Sequence, residues 1–341
     1  FANGGGVLHI ANGGENLEDK VVKVEAYTTS SGNGAVIKTM NGISNGTSWL
    51  KIDGLVDVRA DVTGGRGAGE AISAVASTID IGGGKIIATG DGTGESNFGG
   101  SSTLAIRAYG EFTSQNYGIV NVNVTKDADT VNAKATGAGN NTTQIVGDFS
   151  TTGGMGTKGT INIGLNTADS YWHGDYSAGA GFGVTPGDYG CLNLWMGNGA
   201  DWKGYTRYAT NLYMDSGATW EGYAYNNTNN LIMSIKNGAI WTPTHYGTAS
   251  LTNTNVKIFN GATGEDKTGY IYMSDANGMN VTINQYAGNA SLWYDNAKNE
   301  EGVFNVVGNN FTVVNAAEGS TINLITDSKN INMDSTSEIN N

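Results

Sequence analysis

Residues 193–204 read NLWMGNGADWKG and residues 211–222 read NLYMDSGATWEG, so Asn, Leu, Met, Gly, Ala, Trp and Gly recur at an offset of 18 residues. A looser third copy, LIMSIKNGAIWT, occupies 231–242, with Met233 and Ile235 in the places of the earlier Leu and Met and with Trp241 standing 21 residues after Trp220. Weaker echoes flank these copies: TINIGLNTADSYWHG (160–174), NVKIFNGATG (255–264), NVTINQYAGNASLW (280–293) and NFTVVNAAEGSTINLI (310–325). A unit this short, two or three strands closed by Gly or Asn, cannot bury its own apolar face and must stack on its neighbours.

Composition points the same way. With 53 Gly, abundant Asn, 2 Pro and 14% charged residues, the chain is supplied for tight corners that need positive φ. Period-two alternation recurs throughout, and no window holds a helical apolar spacing for more than a turn. The predicted fold is therefore all-β: a right-handed parallel β-helix (β-solenoid) running through residues 1–341 as a single segment. At roughly 22 residues per coil the chain makes about 15 coils, and at about 4.8 Å per rung these form a rod on the order of 70 Å long. The Gly-rich stretch 177–190 is the expected loop insertion. Residues 171–246 form an aromatic-rich repeat region, holding 15 of the 31 Phe, Trp and Tyr residues in about a fifth of the chain.

Alternation assigns the faces. Leu192, Leu194, Met196, Leu212 and Met214 should point into the coil, leaving Asn193, Trp195, Asn211 and Tyr213 outside. Ala200 shares parity with Trp202, as do Ala218 with Trp220 and Ala239 with Trp241, which predicts a stacked tryptophan column in or at the rim of the core. Lys203 and Glu221 should lie one above the other.

The net charge of -13 argues against nucleic acid or an anionic membrane as partner, since both need clustered cations. The single cysteine, Cys191, cannot close an intramolecular disulfide, so packing and backbone hydrogen bonds must supply stability. No run of apolar residues is long enough to span a bilayer as a helix. The sequence starts at Phe1 without Met or an apolar leader and stops at Asn341 in Asn-rich sequence, which predicts a segment of a longer chain whose targeting parts lie elsewhere.

Short alternating strands, NGA-x-W turns, plentiful Gly and Asn, one cysteine and an acidic balance together resemble the passenger domains of autotransporters, the type V secreted proteins of Gram-negative bacteria. The resemblance covers nearly the whole chain and implies an N-terminal signal peptide, a C-terminal β-barrel anchoring the passenger in the outer membrane, and extracellular display at the cell surface.

Some passengers are serine proteases with a GDSGS motif, which this sequence lacks, and His9, His173 and His245 are far apart in the chain. Polysaccharide-active β-helix enzymes, lyases or glycosidases, are the alternative. They use carboxylate clusters, for which Asp175, Asp188, Asp201, Asp215 and Glu221 are candidates with Lys203 and Arg207 beside them. Those carboxylates do not recur in a pattern that places an acid/base pair, and no metal-ligand motif occurs. The expectation is a non-enzymatic adhesin without cofactor or metal. Its binding residues are Trp195, Tyr205, Tyr213, Tyr223 and Tyr225, which have outward or corner parity unless they merely cover one another. The expected partner is a host surface protein or glycan, a bacterial ligand, or another copy of the chain in aggregation or biofilm.

Overall fold

The structure, a computed structural model, describes residues 6–10, 21–28, 34–40, 48–62, 69–90, 103–110, 117–153, 158–180, 190–207, 211–222, 224–225, 231–244, 256–260, 269–273, 280–294 and 310–326. Among these residues there are strands and turns and no helix.

Nearly all strands fall into three ladders of parallel pairs. The first ladder runs through Val7–Ile10, Trp49–Ile52, Thr78–Ile81, Gly118–Val122, Gly159–Leu165, Cys191–Met196, Asn211–Met214, Leu231–Ile235 and Val256–Asn260. It continues into the first part of Asn280–Tyr294 and ends on Asn310–Val313. The second ladder runs through Val21–Thr28, Leu55–Val62, Gly84–Gly90, Thr143–Val146, Tyr171–His173, Asp201–Lys203, Thr219–Gly222, Ile240–Pro243 and Gly269–Met273, then the second part of Asn280–Tyr294 and Thr321–Thr326. The third, Gly34–Met40 to Ala224–Tyr225, joins Gly69–Val75, Thr103–Tyr109, Asp148–Gly153, Tyr176–Ala180 and Thr206–Arg207. From Val7 to Tyr225 the chain visits the ladders in the fixed order first, second, third. Each visit lays a strand in register on the one from the visit before.

Register turns alternation into continuous columns. Leu192, Leu194, Met196, Leu212 and Met214 are all buried, and Leu212 and Met214 align with Met233 and Ile235 as the repeat requires. On the second ladder one inward column reads Val58, Ile86, Ile145, Trp172, Trp202, Trp220, Trp241 and Ile271. The four indoles are parallel within 8°, with ring centroids 4.6, 4.6 and 5.2 Å apart. Beneath them the rung of Ile145 lacks a ring, and Phe149 from the third ladder fills the space, stacked 3.9 Å from Trp172.

The indole N–H groups need partners in this dry interior. Each donates to a glycine carbonyl one tier back: Trp172 to Gly147, Trp202 to Gly174, Trp220 to Gly204 and Trp241 to Gly222. The corner must be glycine because the tiers touch there. A Cβ on Gly204, at φ +150, would stand 1.9 Å from the Gly174 oxygen.

Ser177–Ala180, within the expected loop insertion, belong to a third-ladder strand paired with Ser150–Gly153, while 181–189 lie outside the described residues. Lys203 and Glu221 face each other in register with Nζ 3.4 Å from the carboxylate.

Candidate functional site

The outer side of the first ladder carries a second set of columns. Asp80, Asn121, Asn162, Asn193 and Asn211 occupy one register position on five successive strands. Their side chains form a directed row: Nδ2 of Asn211 donates to Oδ1 of Asn193, Asn193 to Asn162, Asn162 to Asn121 and Asn121 to Asp80, all at 2.6–2.7 Å. Stacked amides are suited to this because in-register parallel strands repeat the same group at every rung.

A surface excursion covers the lower part of the row. Asn123, at φ +50, turns the chain out of the first ladder. The chain then forms an antiparallel hairpin, Val124–Lys126 against Ala135–Ala138. The side chain of Asn123 staples the hairpin's base, donating to the carbonyls of Asn141 and Gly164 and accepting from the Asn141 N–H. Lys126 Nζ reaches Asp80 at 2.7 Å, and Lys51 reaches Asp129 at 2.8 Å. The Asp80 carboxylate also accepts the Trp49 indole N–H at 2.7 Å. The hairpin rests on Gly164, where a Cβ would meet the Asn123 oxygen at 2.0 Å and Ala138 Cα at 2.8 Å.

The next two residues in Gly164's column are Trp195 and Tyr213. Their rings stack with centroids 5.6 Å apart and planes 15° apart. Trp195 is half-buried, and Tyr213 is 36% exposed against 0% for Trp220 of the same tier. The Trp195 indole N–H has no hydrogen-bond partner among the described residues, unlike the core indoles. Beside this pair runs an open groove of about 780 Å³. Its floor includes Asn162, Asn193 and Asn211; the hairpin's Asn132–Thr136 stand on one side and Asp215, Ser234 and Lys236 on another.

The other expected binding residues lie elsewhere. Tyr205 packs half-buried against the core, on the corner before the third ladder, and its backbone N–H donates to Asp175. The strand Ala224–Tyr225 belongs to the third ladder, which puts the Tyr225 backbone away from the groove, and its side chain lies outside the description. Tyr223 lies outside the described residues, as do Asp188 and His245.

The candidate carboxylates are engaged in local bonds. Asp201 accepts from Thr219 at 2.8 Å and lies 3.2 Å from His173; Asp215 accepts from Asn237 and Ser216. Asp175 sits at the corner between the second and third ladders. Burial, aided by the neighbouring Asp148 carboxylate, pushes its carboxyl up to about 6 against the lowering effect of the Tyr205 N–H. Among the described residues no three of His, Cys, Asp and Glu are grouped so as to hold a metal ion.

Alternation places Asn193 and Asn211 outside but does not give the hydrogen-bonded row or the hairpin wall. The row has a sequence signal, since NVN, INI, LNL and NLY each carry Asn at the same strand position. The hairpin has none beyond an Asp-rich turn. Comparison with protein-family models, curated proteins and solved structures gives no match.

Proposed function

We propose that the chain is a right-handed parallel β-helix and a passenger segment of a type V secreted autotransporter, displayed at the cell surface as an adhesin. The three-ladder cycle supports the fold, because a strand, crossover and parallel strand in one sheet is right-handed in nearly every case. The described first-ladder strands correspond to eleven tiers. Rungs Asn121, Asn162, Asn193 and Asn211 are 41, 31 and 18 residues apart, so these tiers outside the tryptophan repeat are longer than the repeat suggests.

The observation that carries the adhesive reading is the Trp195–Tyr213 pair. Two large aromatic rings stand outside the core on a rigid in-register scaffold, one with an unpartnered indole N–H, beside a groove floored by amides. Such rings supply contact area at small entropic cost, and many copies on one cell make weak contacts effective.

Cells displaying the segment are expected to adhere to host cells or to aggregate. A Trp195→Ala/Tyr213→Ala variant, displayed equally, should lose that gain. Equal adhesion and aggregation with and without the pair defeats the proposal.

A further inference from the structure

We infer that the groove takes an uncharged polysaccharide, with one pyranose ring stacked on the face of Tyr213 turned away from Trp195. This deepens the adhesin reading and rests on it for the identity of the binding face.

The column order decides which ring face is open. Reading along the stack it is Gly164, Trp195, Tyr213, Ser234. Because the two rings are parallel and sit on adjacent rungs, their unshared faces point along the stack in opposite directions. The Trp195 face looks toward Gly164, where Ala138 of the hairpin is seated. The Tyr213 face looks toward Ser234, and no other ring contacts it among the described residues. Rungs are about 4.8 Å apart, and Ser234, only 9% exposed, borders the groove at the rung where a third ring of the column would stand. A sugar ring, with an apolar C–H face and a rim of hydroxyls, suits that place.

The polar surroundings match the rim. Asn121, Asn162 and Asn193 each spend one N–H and one lone pair on their neighbours; the first two are buried, and Asn193, at the groove, keeps a second of each. Asn211, at the end, donates to Asn193 while its own Oδ1 accepts no hydrogen bond among the described residues. A polymer lying along the stack meets Asn193 and Asn211 on adjacent rungs.

Charge disfavours an acidic polymer. Lys134 and Lys236 stand at the groove, but Asp215 lines it too, and Asp127 lies under Lys134, its carboxylate accepting the Lys134 backbone N–H at 2.8 Å. The lining itself sets two cations against one carboxylate, with Asp127 only behind it, and what opposes a polyanion is the net charge of -13 on the whole chain.

The test is calorimetric titration of the folded segment with cello-, xylo- and chito-oligosaccharides as neutral probes and oligogalacturonate as the acidic one. At least one neutral probe should bind, with an affinity nearly independent of salt. Ser234→Phe places a third ring over Tyr213, so it should weaken binding by about tenfold or more with the melting temperature equal or higher. A merely structural serine would not show that split. If Ser234→Phe does not fold, Tyr213→Ala in the same titration decides. Binding confined to oligogalacturonate, no binding of any neutral probe, or unchanged affinity in the blocking variant overturns the inference. Adhesion lost in Trp195→Ala/Tyr213→Ala cells with no neutral probe bound overturns the saccharide and leaves the adhesin standing. A neutral probe bound with adhesion indifferent supports the saccharide and removes the adhesin.

Discussion

Trp202 and Trp220 stack inside the tiers whose outer faces carry Trp195 and Tyr213, with centroids 4.6 Å apart and planes 4° apart. Inner and outer rings on the same tiers should therefore respond unequally to truncation. Trp220→Ala leaves a void between two indoles and orphans the Gly204 carbonyl, costing about 3–5 kcal/mol. Tyr213→Ala removes a half-exposed ring and should cost under about 1 kcal/mol. Urea unfolding followed by circular dichroism measures both, and equal costs would contradict the assignment of faces.

Three tiers close the first-to-second corner with the same two-residue turn, both residues left-handed: Asn198–Gly199, Ser216–Gly217 and Asn237–Gly238. Carbonyls of Gly197, Asp215 and Lys236 each accept the N–H three residues on. Serine tolerates φ +48 less well than asparagine does. Ser216→Asn should therefore stabilise by about 0.5 kcal/mol, read as a raised melting temperature in calorimetry. A lowered one would count against the turn geometry.

Asp80 accepts hydrogen bonds from Lys126, Trp49 and Asn121 together. Removing it strands a mostly covered ammonium, whereas removing Lys126 leaves the carboxylate two donors. Asp80→Ala should cost about 3 kcal/mol or more and Lys126→Ala less. Amide exchange at Val124–Lys126 should speed up in both, because the pin that seats the hairpin is gone. Unchanged exchange would mean the Asn123 staple suffices.

Asp175 has a raised pKa, from 3.8 to about 6, so the fold favours its protonated form. That contribution is complete below pH 3.8 and fades as pH climbs through about 6. Asp175→Asn keeps an oxygen for the Tyr205 N–H and removes the charge. Its melting temperature should exceed that of the natural protein above about pH 6, with the gap closing in acid. A gap independent of pH would assign the effect to another group.

Periodicity made the interior legible. Leu194, Leu212 and Trp220 fall inward because alternation and stacking are one constraint seen along and across the strands. Outward parity also singled out Trp195 and Tyr213. Tyr205 stands at a corner, where parity has no meaning and packing against the core decides. Phe149 escaped notice because it reaches Trp172 from a different ladder, at a spacing unlike that of the tryptophans. The hairpin escaped for a related reason: Val124–Lys126 alternates like a ladder strand, and only the left-handed turn at Asn123 sends it outward.

All four amides of the row point one way, so their dipoles add. Each amide that donates becomes a better acceptor for the next one in the row. The accumulated negative end emerges at the Asn211 oxygen, in the groove. The open end of the row is thus an acceptor strengthened from behind, favouring whatever arrives there as a hydroxyl.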